Sequence, residues 1–229
     1  MQYKGITDIF FDLDHTLWDF DRNSGLAFQR VFQKHNIDLP LTDFLKEYEP
    51  INLQYWRKFR ENQVSKVELR RGRLTETFDI FKLKFPLETI DTIAHCYIEE
   101  LPVDNHLFID TIDVLDYLSK KYTLHIITNG FEEVQHLKLQ NSGIKKYFNT
   151  VTTSEETGLK KPHPVIFETA LNKAAVISEK SVMIGDSFEA DILGAKNAGM
   201  HTLFFNYRKE NITAPHFAIN QLSEIKKHL

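Results

Sequence analysis

The sequence has one cysteine, little net charge and no long apolar run, and each of these facts excludes a structural feature or a class of binding partner. The lone Cys96 cannot form a disulfide within the chain. No apolar stretch approaches the roughly 20 residues that a membrane-spanning helix needs. The net charge of -4 lacks the basic excess with which proteins neutralise nucleic-acid phosphates. Because no signal-like segment follows Met1, we expect a cytoplasmic protein that binds neither a membrane nor a nucleic-acid polymer.

The residues that are present describe an ordinary globular protein. Hydrophobic residues make up 42% of the 229 positions and charged residues 26%. A chain of this length can bury a complete core, and it fits either one large domain or one domain that carries an inserted second domain. The spacing of the apolar residues favours the second arrangement.

The stretch from about Asp21 to Leu101 has helical spacing throughout, with apolar residues three and four positions apart. One amphipathic helix is indicated by Leu26, Phe28, Val31 and Phe32. Further helices are expected around residues 44–59, 67–85 and 87–98, and prolines at positions 40, 50, 86 and 102 punctuate the stretch. The stretch predicts an all-helical insert, which we place at residues 18–103.

On both sides of the insert, strand-like and helix-like segments alternate. Strands are predicted over residues 7–11, 123–128, 147–153, 181–184, 201–205 and 217–219, and helices over 110–121, 131–141, 163–173, 189–198 and the C-terminal segment. Such alternation implies a parallel sheet whose ligand site lies at the carboxyl ends of the strands. The predicted fold is therefore α/β, with a Rossmann-like core of residues 1–17 and 104–229 and an inserted helical domain.

Polar side chains follow the predicted strands where such a site would lie. Asp12 and Asp14 follow the first strand two residues apart, so their carboxylates can share one face of an extended segment. Adjacent carboxylates repel unless a cation lies between them or one is protonated. The pair therefore indicates a hard-metal site, or a nucleophile with a general acid and base beside it. A strand followed by an Asx-rich turn is the structural alternative.

Later strand ends add further polar groups. They are Thr128-Asn129-Gly130, the loop Lys160-Lys161-Pro162, and Gly185-Asp186-Ser187 with Asp191 five residues after Asp186. Each has an ordinary interpretation as an N-cap turn, a surface lysine or a turn former. Together, at one edge of one sheet, they supply a hydroxyl donor, a cation and a third carboxylate.

With these motifs the chain resembles the haloacid dehalogenase-like hydrolase superfamily. The resemblance is carried by Asp12–Thr16, Thr128–Gly130, Lys161–Pro164 and Gly185–Ser187 with Asp191, and the insert matches the position of the superfamily's type-one helical cap. Segments 126–131, 154–161 and 191–199 resemble more narrowly the pyrimidine-nucleotide 5′-monophosphatases, known as noncanonical pyrimidine nucleotidases.

The resemblance implies a phosphatase, because the dehalogenases lack the second aspartate of the first motif. It makes Asp12 the nucleophile and Asp14 the general acid and base. Thr128 would donate to the phosphoryl group, and Lys161 would balance its charge. The implied substrate-binding residues are Thr128, Asn129, Gly130 and Lys161, with Arg73 of the insert as a further candidate.

The resemblance also implies Mg²⁺ as the cofactor. The ion would be held by the Asp12 carboxylate, the Asp14 backbone carbonyl and Asp186. Asp191 would complete the metal set by orienting a metal-bound water or Lys161. A monomer or homodimer is expected.

The expected substrate is a small phosphomonoester, foremost a pyrimidine nucleoside 5′-monophosphate. A phosphoglycolate phosphatase, a sugar-phosphate phosphatase or a phosphomutase on the same core is the alternative. A non-catalytic phosphate-binding protein is disfavoured, because it would not need Asp14. The candidate pocket walls and donors are Trp18, Phe20, Tyr55, Trp56, Arg70, Arg71 and Arg73.

Overall fold

The computed structural model describes residues 3–213 and 217–229, so Met1 and Gln2 of the predicted core lie outside it. The chain divides into two compact units. The first comprises Met1–Phe20 and Asn105–Leu229, and the second is the insert Asp21–Asp104, here called the helical unit. In the part of the chain that the structure describes, no helix is both long enough and apolar enough to cross a membrane.

The helical unit is held together by aromatic side chains. Its helices are α1 (Phe20–His35, which begins one residue before the unit), α2 (Leu41–Arg60), α3 (Lys66–Ile80) and α4 (Leu87–Glu100). The ring of Phe28 stacks on Tyr97 at a centroid distance of 4.2 Å and meets Phe44 and Tyr48 edge-on at 4.9 and 4.7 Å. All four rings are buried, so their apolar area stabilises the packing of the helices. The role of this unit as a cap remains a prediction.

Pro50 lies inside α2, as it lies inside the helix predicted around residues 44–59. A proline in a helix interior removes one backbone hydrogen bond and costs about 3 kcal/mol. The helix continues because the same element buries Phe44, Tyr48 and Phe59. Burying a side chain of this size contributes roughly 1.5–3 kcal/mol, so the three together outweigh the proline.

The first unit is built on a parallel sheet, which has six strands among the described residues. They are β1 (Asp8–Phe11), β2 (Thr123–Thr128), β3 (Phe148–Thr153), β4 (Ser181–Gly185), β5 (His201–Phe205) and β6 (Ala218–Ile219), in the order β3-β2-β1-β4-β5-β6. Strand β1 lies between β2 and β4, and all its residues are buried. Its continuous apolar character is typical of a strand covered on both faces. The predicted α/β class with a Rossmann-like sheet is confirmed.

Helices connect these strands and complete the core. They are α5 (Thr111–Leu118), α6 (Glu132–Asn141), α7 (Ser154–Thr157), α8 (Pro164–Ala174) and α9 (Gly194–Asn197). Phe10 of β1 packs with Ile127, Met183 and the α8 residues Ile166 and Phe167 in one apolar cluster. This packing fixes β1, β2 and β4 against α8, which begins just after the predicted Lys161 loop.

Two of the predicted helices are not regular α-helices. Residues Phe188–Leu193 form a π-helical turn that α9 continues, where one helix over residues 189–198 was predicted. The C-terminal segment Leu222–Lys227 is a 3₁₀ helix. Apolar spacing does not distinguish these helix types, because they differ in which carbonyl accepts each N–H bond.

The boundaries of the insert differ from the predicted residues 18 and 103. Trp18 belongs to the first unit, where isolated β-bridges join it to Asp14 and Leu107. Asp104 belongs to the helical unit, where its carboxylate pairs with Arg30. Both assignments depend on bonds between residues far apart in the sequence, which apolar spacing does not report.

Candidate active site

The predicted site residues follow three adjacent strands. Phe11 of β1 lies opposite Ile126 of β2 on one side and Ile184 of β4 on the other. Because the three strands are parallel, the segments that leave their carboxyl ends lie side by side. Segments 12–16, 128–130 and 185–191 are therefore brought together.

The Lys161 ammonium group contacts three oxygen atoms of this site. Its Nζ is 2.6 Å from Asp12 Oδ1, 2.7 Å from Asp191 Oδ1 and 2.8 Å from the Ile127 carbonyl oxygen. Only 2% of the residue is exposed. Burial alone would lower the pKa of Lys161, but the carboxylates of Asp12 and Asp191 raise it above its ordinary value. The site thus holds a lysine cation in direct contact with the predicted nucleophile.

Three carboxylates crowd beside this lysine. One oxygen each of Asp12, Asp186 and Asp191 lies within 4.8 Å of the others. Burial raises the pKa of Asp12 to about 7, with Lys161 opposing the shift and Asp191 adding to it. Burial, followed by repulsion from Asp12 and Asp191, also raises the pKa of Asp186 well above its usual range. The cluster carries more negative charge than Lys161 neutralises.

The donor set fits a divalent cation. Carboxylate oxygens are the hard ligands that Mg²⁺ prefers, and a cation between them would relieve the repulsion that raises the two pKa values. Arg208 also approaches the cluster, with Nη1 3.5 Å from Asp186 Oδ2, but 40% of its side chain is exposed, so solvent screens it. The backbone carbonyl of Asp14 remains a predicted ligand.

Asp191 reaches this cluster because Gly185 has no side chain. A Cβ built on Gly185 would lie 2.3 Å from Asp191 Oδ2. That oxygen accepts the Ser187 N–H at 2.9 Å, while the Ser187 hydroxyl caps the π-helical turn by accepting from Ala190. The Gly-Asp-Ser motif thus provides both the space and a backbone N–H donor for the Asp191 carboxylate.

Asn129 joins the loop 128–130 to the Lys161 loop. Its side-chain amide donates to the Lys161 carbonyl at 2.9 Å and its Oδ1 accepts the Lys161 N–H at 2.8 Å. The Asn129 side chain therefore positions Lys161, and any contact that it makes to substrate would come from its backbone N–H, as the resemblance implies.

Thr128 and Gly130 are tied to a residue that sequence reasoning missed. The Thr128 hydroxyl accepts from the Gly130 N–H at 3.1 Å and from Gln135 Nε2 at 2.6 Å. A Cβ on Gly130 would lie 2.3 Å from the same Gln135 nitrogen. Gly130 therefore makes room for the amide that holds Thr128.

Asp14 is held by two residues of α6. Lys138 Nζ lies 2.5 Å from Asp14 Oδ1, and Gln135 Nε2 lies 2.9 Å from Oδ2. Lys138 is only 2% exposed, and its ammonium lies 4.3 Å from the Trp18 ring centroid and 5.3 Å from that of Phe20. Burial lowers the pKa of Lys138, and Asp14 opposes that shift. Trp18 and Phe20, predicted as pocket walls, thus flank the lysine.

Sequence reasoning missed Gln135, Lys138 and Thr16 as parts of the site. Gln135 and Lys138 are three positions apart, which places them on one face of a helix, and this spacing behind the Thr128 motif was the available signal. The Thr16 hydroxyl accepts the Asp186 N–H at 3.1 Å, which ties the first motif to the fourth. Thr16 stood inside the first motif and received no role.

Arg73 of the helical unit has its partners within that unit. Arg73 is 2% exposed; its Nη1 donates to Asn52 at 2.8 Å, and its guanidinium lies 5.7 and 5.2 Å from the ring centroids of Tyr48 and Tyr97. These contacts are those of a packing residue. A contact between Arg73 and substrate therefore remains a prediction.

Arg71 and Tyr55 are engaged in the same way. Arg71 Nη2 donates to Asp91 Oδ2 at 2.6 Å, and the Tyr55 hydroxyl donates to Glu76 at 2.7 Å. Gly72 leaves the space for the Tyr55 ring, since a Cβ there would lie 2.3 Å from it. These residues join helices of the helical unit to one another.

Comparison with known proteins identifies the family. A family model described as haloacid dehalogenase-like hydrolase matches residues 9–205. The chain belongs to this family. Its relatives carry the names of 5′-nucleotidases and other phosphatases, and the chain is a phosphoric monoester hydrolase.

Two curated relatives span almost the whole chain. Pyrimidine 5′-nucleotidase YjjG of Escherichia coli is 31% identical over 96% of this chain and 96% of its own length. A glyceraldehyde 3-phosphate phosphatase of Methanothermobacter thermautotrophicus is 31% identical over 93% of this chain and 92% of its own length. The predicted resemblance to pyrimidine nucleotidases is thereby confirmed, alongside relatives with another substrate.

A solved structure has the same fold. The HAD-hydrolase YfnB of Bacillus subtilis is 28% identical, with a TM-score of 0.89 over 99% of this chain and 98% of its own. That structure is described as bound to magnesium and as revealing interdomain movement.

Proposed function

We propose that the chain is a Mg²⁺-dependent phosphatase that hydrolyses nucleoside 5′-monophosphates, those of pyrimidines foremost, through an aspartyl-phosphate intermediate. The observation that carries the mechanism is the second aspartate, Asp14, two residues from Asp12 and held by two N–H donors. A leaving oxygen must gain a proton and a halide need not, so a positioned second carboxyl fits phosphoester chemistry.

In the first step an oxygen of Asp12 attacks phosphorus and a P–O bond forms. The ester P–O bond breaks opposite it, and its electron pair leaves with the alcohol oxygen. Asp14 gives that oxygen a proton and becomes a carboxylate. Lys161, 2.6 Å from Asp12, balances negative charge on the nucleophile and on the phosphoryl group.

In the second step Asp14 takes a proton from water, and the water oxygen attacks phosphorus. The bond from phosphorus to Asp12 breaks, which restores the Asp12 carboxylate and releases inorganic phosphate. Thr128 holds a phosphoryl oxygen in both steps through its hydroxyl. Asp14 gives up one proton in the first step and gains one from water in the second, so the enzyme returns to its starting state.

Asp12, Asp186 and Asp191 would form the metal site, with Asp191 bonding to Lys161 and the others facing the ion. When bound, Mg²⁺ supplies positive charge that lets a phosphate dianion approach these carboxylates. Thr16 keeps the Asp186 backbone in place through its hydroxyl.

The substrate proposal rests on similarity to YjjG over 96% of each chain. We expect a higher kcat/KM for UMP, dUMP and TMP than for phosphoglycolate or hexose phosphates, measured side by side at saturating Mg²⁺. A preference of tenfold or more for a sugar phosphate or phosphoglycolate corresponds to about 1.4 kcal/mol of transition-state discrimination and would overturn the nucleotidase assignment.

A small phosphosugar is the second candidate, because the relative from Methanothermobacter thermautotrophicus is named for glyceraldehyde 3-phosphate. That compound belongs in the same kinetic panel. The matched comparison is UMP with ribose 5-phosphate, which share the phosphorylated ribose and differ in the base. A nucleotidase should lose at least about tenfold in kcat/KM when the base is removed, whereas a phosphosugar enzyme should not.

A further inference from the structure

We propose that Lys138 and Gln135 of α6 are positioning residues, which fix the Asp14 carboxyl group in the orientation from which it transfers a proton to the leaving oxygen. The inference rests on the proposed function, because it assigns a purpose to contacts of the proposed general acid. It adds two residues to the reaction that the four sequence motifs do not contain.

The first argument is the geometry at Asp14. Lys138 donates to Oδ1 at 2.5 Å and Gln135 donates to Oδ2 at 2.9 Å. A carboxyl group held by a different donor at each oxygen cannot turn about its own bond without breaking both contacts. General acid catalysis depends on such placement, because the proton donor must lie within hydrogen-bond reach of the leaving oxygen.

The second argument is the burial of Lys138. A lysine that is only 2% exposed loses its hydration and must be compensated by a partner. An apolar side chain of similar volume is often as stabilising as a buried ion pair, so stability does not explain an ammonium here. The Trp18 ring lies 4.3 Å from Nζ on one side, and Asp14 is the carboxylate that Nζ contacts directly.

The third argument is the second bond of Gln135. The Nε2 that holds Asp14 also donates to the Thr128 hydroxyl at 2.6 Å. One amide therefore links the group that protonates the leaving oxygen to the group that binds phosphoryl oxygens. Gly130 leaves the space for this amide, because its Cβ would lie 2.3 Å from Nε2.

The test is the dependence of kcat/KM on the leaving group. Phenyl phosphate and 4-nitrophenyl phosphate are similar in size, but phenoxide is the poorer leaving group and needs the proton more. We expect Lys138→Met to lower kcat/KM for phenyl phosphate at least about tenfold more than for 4-nitrophenyl phosphate, within the 10²–10⁴-fold that general acid catalysis supplies. The ratio kcat/KM reports the step in which the leaving group departs, so slow hydrolysis of the intermediate does not affect it.

Asp14→Asn provides the benchmark for this selectivity, and it should show the same bias to a larger degree. In the double variant Asp14→Asn with Lys138→Met, we expect no further loss, because a residue that acts through Asp14 has nothing left to position. Lys120→Met, an exposed lysine after α5, is the matched control and should keep the wild-type ratio. Circular dichroism and thermal unfolding check that each variant is folded.

Gln135→Leu should show the same leaving-group bias, and it carries the test if Lys138→Met does not fold. Equal losses for the two aryl phosphates, no loss at all, or additive losses in the double variant would overturn the inference and leave the proposed function standing. A wild-type protein that hydrolyses none of the nucleotides, sugar phosphates and aryl phosphates in the presence of Mg²⁺ would overturn the proposed function, and the inference with it.

Gly130→Ala tests the role of Gln135 by a change at the neighbouring residue. The added methyl displaces the Gln135 amide, so the variant should copy the leaving-group bias of Gln135→Leu. The double variant Gly130→Ala with Gln135→Leu should lose no more than the worse of the two single variants, since both changes remove one contact. Losses that multiply would contradict a shared role.

Discussion

Asp12→Asn should lose at least about 10⁴-fold in kcat against every phosphomonoester, because the amide cannot attack phosphorus and the change removes the nucleophile itself. The fold should remain, since asparagine has nearly the same volume and its Oδ1 can still accept from Lys161, which lies 2.6 Å away in the wild type. The measurement is steady-state release of inorganic phosphate, with circular dichroism as the check on folding.

Asp8→Asn is the matched control. It makes the same substitution four residues earlier, at the first residue of β1 and away from the site, where the carboxylate accepts from Thr7 and contacts His125 Nε2 at 2.9 Å. An asparagine oxygen can keep the bond to His125, so kcat should stay within about threefold of the wild type. Mg²⁺-dependent turnover by folded Asp12→Asn protein at the wild-type rate would exclude the aspartyl-phosphate mechanism.

Removal of divalent cations with EDTA should lower kcat/KM by on the order of 10²-fold or more, and excess Mg²⁺ should restore it. The reason is the crowding of Asp12, Asp186 and Asp191 within 4.8 Å, which without a cation repels an incoming phosphate dianion. Binding also has a readout besides activity: Mg²⁺ that binds the folded state should raise the Tm of the chelator-treated protein.

Asp186→Asn tests whether the Mg²⁺-induced rise in Tm comes from binding to the proposed ligands. The variant should show a smaller Mg²⁺-induced rise in Tm, because one charged donor is gone. Glu156→Gln, a carboxylate that pairs with Lys173 on the surface, should keep the full rise. Equal rates with and without chelator, together with no change in Tm, would require a different chemistry.

The fold and the meeting of the motifs could be predicted from the sequence because both follow from local patterns. Alternating strands and helices imply a parallel sheet, and a parallel sheet brings the ends of neighbouring strands together. The structure accordingly brings Asp12, Lys161 and Asp186 into one cluster. Their roles in the reaction remain predictions.

The parts that the sequence did not reveal depend on contacts between distant residues. Trp18 joins the first unit through isolated β-bridges to residues on both sides of the insert. In the sequence, Lys138 and Gln135 resemble the exposed residues of a polar helix. Their contacts with Asp14 are visible only in the folded chain. The role of a residue that acts through a distant partner cannot be predicted until the fold is known.

The central place of β1 in the sheet affects how the chain acquires its structure. Both of its neighbours, β2 and β4, follow the insert in the sequence, so β1 is synthesised first and has no strand to pair with until β2 is made. The helices of Asp21–Asp104 are built from local contacts and can form earlier. A chain that stops after Asp104 would leave the apolar strand Asp8–Phe11 with both edges open, which is a site for aggregation. Expression of the helical unit alone should therefore begin after this strand.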